Sequence, residues 1–183
     1  DFKLALGINE GRVRSRLLGA HNARNIALAA AVAYKLGLTK EEIAGGIAKL
    51  DYVPHRLQPF QANGVTILDD AYNANVVGAE EAVKVLRLFS GRKYVVTPGI
   101  VELGILEEEE NFALGQKLAG LDMVVLVGAT LVLAVKRGYL DAGGDAEKLV
   151  VVPDLAGAEK LLSEKLQAGD AVLFLNDLPD IYN

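Results

Sequence analysis

Val65-Thr66-Ile67-Leu68-Asp69-Asp70-Ala71-Tyr72-Asn73-Ala74-Asn75 decides the fold. An apolar, β-prone run delivers two carboxylates, a phenol and two carboxamides into a connection, and a helical pattern opens near Gly78. Strand ends and helix N-termini converge on such a connection in α/β folds, and ligands bind there. Core packing alone does not call for so many polar groups in one loop.

Working outward, Leu57 to Ala62 and Val65 to Leu68 flank Asn63-Gly64, the strongest short hairpin signal. Downstream, helical patterns at Ala79 to Phe89, Glu107 to Leu118, Leu131 to Ala142 and Leu155 to Leu166 alternate with apolar runs. Those runs are Tyr94 to Thr97, Met123 to Val127, Leu149 to Val152 and Ala171 to Leu175. Alternation of this kind predicts α/β architecture, a Rossmann-like, doubly wound domain with a mainly parallel sheet covered on both faces.

Upstream, Phe2 to Ile8 and Val13 to Leu18 alternate apolar with polar residues, with Asn9-Glu10-Gly11 as a turn, which predicts a hairpin. An Ala-rich helix follows from about Ala23 to Leu36, closed by Gly37. Thr39 and Glu42 form a capping-box pattern for a second helix to about Leu50. Asp51-Tyr52-Val53-Pro54-His55 breaks the pattern, and Pro54 pushes the residue before it out of helical space. The expected division is therefore 1–54 and 55–183.

Composition narrows the function. The 183 residues are 51% apolar and 23% charged with a net charge of -5, the balance of a core-forming protein. The basic stripe required for nucleic-acid binding is missing, and Arg12, Arg14 and Arg16 read as the wet face of a strand. An acidic balance argues against docking on an anionic membrane. With no cysteine and two histidines, disulfides, thiol catalysis and Cys-based zinc sites drop out. No apolar run reaches the length of a membrane span, and the start has no signal-peptide character. The expectation is a cytoplasmic chain that is a piece of something longer.

Several groups could carry chemistry. His21, Asn22 and Asn25 are read onto the first turn of the first helix, where free N–H groups and the positive dipole end attract anions and ring acceptors. Arg56 follows the break and could grip a phosphate in two-pronged fashion, or be a surface loop residue. Asp70 could accept hydrogen bonds from a ribose, hold a metal through water, or cap a turn. Tyr72, Asn73 and Asn75 could face a cleft. Glu102 is the sole charge in Thr97-Pro98-Gly99-Ile100-Val101-Glu102-Leu103-Gly104, either a helix cap or a substrate contact. Asn176 and Asp177 follow the last strand, as a substrate-side loop or a frayed end. Neither a G-x-x-x-x-G-K-[ST] loop nor a G-x-G-x-x-G turn occurs, so the usual phosphate cradle is missing.

Gly19-Ala20-His21-Asn22-Ala23-Arg24-Asn25, then Leu36-Gly37, Val53-Pro54-His55-Arg56-Leu57, and Asp69-Asp70-Ala71-Tyr72-Asn73-Ala74-Asn75 resemble, in order and spacing, the Mur ligases of peptidoglycan synthesis. The resemblance implies the tail of a central ATPase domain over 1–54 and a C-terminal Rossmann-like domain over 55–183, inactive without the P-loop part. It implies a ligase using ATP and Mg2+ that joins D-alanyl-D-alanine to a UDP-N-acetylmuramoyl peptide through an acyl phosphate. By the same resemblance His21, Asn22 and Asn25 would serve the nucleotide, with the two asparagines facing adenine. Arg56 would contact phosphate or ribose, and Asp70 would hold the ribose hydroxyls. Tyr72, Asn73 and Asn75 would line the interdomain cleft, with Glu102, Asn176 and Asp177 on the substrate side. The family usually has Pro where Val76 stands, an Asp in the 97–104 loop, and a Lys-Gly-Ser-Arg-like segment where Asn176-Asp177-Leu178-Pro179-Asp180 stands. Two alternatives therefore stay open: a divergent ligase on another acceptor of muropeptide or polyglutamate type, and a non-catalytic module binding nucleotide or a partner.

Overall fold

The computed structural model describes residues 1–6 and 9–175. It divides into two units, Asp1–Val53 and Pro54–Asn183; Asn176 and Asp177 lie outside the described residues.

In the first unit, β1 (Phe2–Leu6) and β2 (Asn9–Val13) pair antiparallel, with Phe2 opposite Val13 and Leu6 opposite Asn9. The expected hairpin is present, but Asn9-Glu10-Gly11 belongs to the second strand and Val13 ends it. Burial explains the register. Leu4 and Val13 join Ile26, Ala30, Ile43 and Ile47 in one core. A turn at Asn9-Glu10-Gly11 would send Val13 to the face opposite Leu4. Arg14 and Arg16 consequently lie beyond the strand, and Arg14 pairs with Asp1 at 3.0 Å.

Helix α1 (Ala20–Lys35) begins three residues before the expected Ala23, entered through Gly19 at φ 87. Gly37, at φ 94, closes it as its N–H and that of Leu38 reach the Tyr34 and Ala33 carbonyls. Helix α2 (Lys40–Ala48) opens on the expected capping box, with both reciprocal Thr39 and Glu42 bonds formed.

The second unit holds a six-stranded sheet in the order β3-β4-β8-β5-β6-β7. Strands β3 (Gln58–Ala62) and β4 (Val65–Asp70) form the antiparallel hairpin. Its turn residues Asn63 and Gly64 have φ 52 and 78, as a type I′ turn requires. Strands β5 (Lys93–Thr97), β6 (Met123–Val127), β7 (Leu149–Val152) and β8 (Ala171–Leu175) run parallel to β4. The connecting helices are α3 (Val76–Leu86), α4 (Glu107–Leu118), α5 (Val132–Asp141) and α6 (Leu155–Lys165).

Strand alternation splits the core. Tyr94, Val96, Val125, Val127 and Val172 pack with Ala158 and Leu162 of α6 on one face. Their neighbours Val95, Val124, Leu126 and Leu173 are fully buried on the other. The last strand crosses back to lie between β4 and β5, which brings the carboxyl ends of β4, β8, β5, β6 and β7 along one edge. At the opposite edge Asp170 is buried, 2.8 Å from Arg92 Nη2.

Candidate functional site

Two segments interlock at the carboxyl end of β4. Residues 55–57 carry unusual backbone, with His55 at φ 60 and Leu57 at φ 50. Non-glycine residues adopt this region only where surroundings hold them, and here five contacts do so. Leu57 N–H donates to Asp70 Oδ1 at 2.9 Å. His55 Nδ1 lies 2.8 Å from Asp69 Oδ2. Tyr72 N–H donates to the His55 carbonyl at 3.3 Å. Arg56 Nη1 donates to the Asn73 carbonyl at 3.0 Å. The Arg56 guanidinium carbon sits 4.4 Å from the centroid of the Tyr72 ring.

Arg56, Asp70, Tyr72 and Asn73 are thus brought together. Arg56 and Tyr72 remain exposed, while Leu57 is 1% exposed and anchors the segment in the core. Asn75 has a different position: its Oδ1 accepts from Gly78 N–H at 2.8 Å and caps α3. That cap starts the helix at Val76, before the expected Ala79.

A second feature lies along the same edge. A cavity of about 340 Å³ opens at the ends of β5, β6 and β7, lined by Pro98, Val101, Glu102, Glu107, Gly128, Leu131 and their neighbours. The walls are mostly apolar. Glu102, at φ 64, is no helix cap. Asp70 ends β4 and the loop bearing Glu102 leaves β5, two strand spacings away or about 10 Å, so the two mark separate stretches of one edge.

Asn111 holds the cavity wall, and sequence reasoning missed it. It is fully buried in α4. Its Oδ1 accepts from Ile100 N–H at 2.8 Å, and its Nδ2 donates to the Ile100 and Glu107 carbonyls at 2.8 and 2.9 Å. Gly99 turns at φ 98 so close that a Cβ would sit 2.5 Å from Asn111 Oδ1. The available signal was a carboxamide sharing helical spacing with Leu114, Gly115 and Leu118, all buried. The His55–Asp69 pair was also missed, since neither residue alone points to the other.

In the first unit, His21 and Asn22 occupy the first turn of α1, while Asn25 falls on the second. Asn22 Nδ2 donates to the Leu18 carbonyl at 2.8 Å. His21 Nδ1 is buried without a hydrogen-bond partner, a polar atom left to be satisfied by something else. Among the described residues no three His, Asp or Glu side chains gather as a metal-binding group, and no helix is long and apolar enough to cross a membrane.

A parallel sheet with its polar connections gathered on the carboxyl edge defines a Rossmann-like ligand-binding domain. Residues 55–176 match the family model described as Mur ligase, glutamate ligase domain, and the chain belongs to the Mur ligase family. It is 41% identical over 131 residues to the UDP-N-acetylmuramoyl-tripeptide–D-alanyl-D-alanine ligase of Escherichia coli K12, covering 70% of this chain and 29% of that one. The Mycobacterium leprae ligase of the same name is 31% identical over 174 residues, covering 85% of this chain and 34% of that one. Among solved structures, the MurF ligase of Thermotoga maritima in complex with ADP superposes with a TM-score of 0.79 at 26% identity, covering 92% of this chain and 38% of that one. MurF from Acinetobacter baumannii gives 0.77 at 31% identity, covering 92% and 36%. The chain therefore spans about a third of the length of the relatives it matches.

Proposed function

We propose that this chain is the carboxyl-terminal part of an ATP-dependent amide ligase, adding D-alanyl-D-alanine to a UDP-N-acetylmuramoyl tripeptide in the cytoplasm. The observation that carries the reading is the interlock of 55–57 with 69–73, in a chain 41% identical over 131 residues to a ligase of that name. Residues 1–54 belong to the end of the P-loop domain, and 55–183 to the C-terminal domain of the same enzyme.

Bound ATP would supply the phosphoryl group that activates the peptide carboxylate. The rest is what the chain's own groups do. Arg56 presents a planar cation suited to paired phosphate oxygens. Asp70, whose Oδ1 accepts from Leu57 N–H, serves the ribose hydroxyls. His21, with its unsatisfied Nδ1, and Asn22 and Asn25 serve the adenine end. Tyr72, Asn73 and Asn75 serve the substrate side, where excluding water protects the activated carboxylate. Glu102 orients the incoming amine at the cavity, and Asn176 and Asp177 are further candidates for the substrate side. Mg2+ belongs to the complete enzyme.

One observation favours a second reading, a Mur ligase acting on another acceptor. Among the described residues lining the cavity, the charged ones are Glu102 and Glu107. Neither Lys nor Arg is there to meet a dipeptide carboxylate.

The test is ATP-dependent phosphate release by the enzyme that carries this chain, given UDP-N-acetylmuramoyl tripeptide and D-alanyl-D-alanine, with the product weighed by mass spectrometry. Release that needs both substrates is expected. Release with amines lacking a carboxylate, but not with the dipeptide, selects the second reading. No release with any acceptor refutes both.

A further inference from the structure

Arg56 is exposed, on a long flexible side chain, yet it is held. Its Nη1 is tied to the Asn73 carbonyl at 3.0 Å, and one face of its guanidinium lies on the Tyr72 ring, 4.4 Å from centroid. Nε and Nη2 make no hydrogen bond to the described residues, so on this exposed side chain the edge they share is an unused two-pronged donor. That edge matches two coplanar oxygens of one phosphate or carboxylate.

Tyr72 has no comparable reason of its own to be there. It is 67% exposed, so it is not core. Its hydroxyl makes no hydrogen bond among the described residues. Its backbone N–H is fixed to the His55 carbonyl at 3.3 Å, which sets where the ring lies relative to the next residue, Arg56. The ring therefore acts as a platform. It restricts the guanidinium to one plane and covers one face of it, so that less rotamer freedom is lost when an anion arrives.

We propose that Tyr72 is a positioning residue: its ring, with the Asn73 carbonyl, preorganises Arg56 to take an oxyanion on its Nε–Nη2 edge. The inference rests on the nucleotide reading above and adds the residue through which Arg56 is set. The aromatic face, not the phenol, does the positioning, and this separates it from a hydrogen-bonding or acid–base role.

The experiment uses the 183-residue chain and inorganic tripolyphosphate as probe, with binding followed by NMR at the Arg56 Nε–H and the Asn73 amide. The native chain is expected to bind weakly but saturably, in the millimolar range. Tyr72→Phe should bind as the native chain does. Tyr72→Ala should bind about threefold to fivefold more weakly, the size of an exposed cation–aromatic contact expressed as a ratio, with an unchanged thermal midpoint because the side chain is exposed. Equal affinity of Tyr72→Ala and native chain overturns the proposal, as does a Tyr72→Phe variant as weak as Tyr72→Ala, or a native chain whose Arg56 signal does not respond. Arg56→Ala separates the two readings. If it abolishes binding while Tyr72→Ala does not, the nucleotide role of Arg56 stands and the positioning role falls. If it changes nothing, both fall.

Discussion

A buried carboxamide holding three backbone groups is hard to replace. Asn111 satisfies both polar groups of Ile100 and also reaches the Glu107 carbonyl, and an apolar residue there strands both Ile100 groups out of water. Each such group costs about 1–3 kcal/mol when left unpaired. With partial relaxation, Asn111→Leu is expected to destabilise the second unit by about 3 kcal/mol, read as a lower urea midpoint at unchanged slope. A loss below about 0.5 kcal/mol would show that the loop finds other partners. Asp170 gives a pH-dependent counterpart at the far edge of the sheet. Burial alone would raise its carboxyl, but hydrogen bonds from Arg92 and the Gln167 N–H, with the Arg92 charge, outweigh it and hold the group below its usual value. A carboxyl lowered on folding stabilises fully above its unfolded value of ~3.9. That contribution is lost as pH falls through the lower folded value. Asp170→Asn should therefore destabilise the chain at pH 7 and flatten the acid limb of a stability–pH curve. An unchanged acid limb would contradict this. At the interlock, Asp70→Asn can keep an acceptor for Leu57 N–H while replacing the other carboxylate oxygen by an NH2 donor, so it tests nucleotide contact more cleanly than Asp70→Ala, which also frees the 55–57 segment.

Helices α4 and α5 cross where each has a glycine. A Cβ on Gly115 would come 2.0 Å from the Val135 carbonyl oxygen, and one on Gly138 would come 1.8 Å from that of Phe112. Backbone cannot retreat as a flexible side chain can, so Gly138→Ala should force the helices apart and cost about 1–3 kcal/mol. Gly45, exposed in α2 with nothing within 4 Å of its would-be Cβ, is the contrast. Gly45→Ala should stabilise by about 0.5–1 kcal/mol, because only the helix-propensity term remains. Paired thermal melts decide both, and the same sign at both positions would refute the distinction. Nothing in the sequence separates these glycines, because close approach is a property of two elements and neither one's spacing contains it. The same limit explains what was legible elsewhere. Asn63-Gly64 and the Thr39–Glu42 box act within a few residues, and both appear as read. The strands β5 to β8 were legible because their apolar runs are short and bounded. The first hairpin slipped because its register depends on Ile26 and Ile43 in other elements. The start of α3 slipped because Asn75, rich in functional associations, was a cap. At the site, Arg56, Asp70, Tyr72 and Asn73 could be picked out as neighbouring polar candidates, but the contacts joining them, and Asn111 under the cavity loop, depend on folding.

The two units differ in how much of their apolar surface they bury by themselves. In the second, both faces of the sheet are covered, and Leu68, Leu86, Val95, Val124 and Leu173 are 0–1% exposed. Its turn, cap and interlock bonds close within residues 54–175. The first unit has a buried core of Leu4, Val13, Ile26, Ala30, Ile43 and Ile47, while Leu28, Val32 and Leu36 stand 70%, 54% and 76% exposed at successive turns of α1. Domains of about 60 residues are already marginal, because the share of surface buried falls with chain length. A chain of residues 54–183 is therefore expected to fold alone and unfold in one cooperative step. Residues 1–53 should give little helical signal by circular dichroism at 25 °C. The same asymmetry bears on ligand binding. Residues 1–53 carry His21, Asn22 and Asn25, and the sequence offers no Gly-rich cradle for phosphates. Calorimetric titration of the 183-residue chain should then detect ATP only weakly, through the exposed Arg56 fork. Tight, magnesium-dependent binding would mean that the described residues already form a complete nucleotide site, and the division of labour argued for the two units would be wrong.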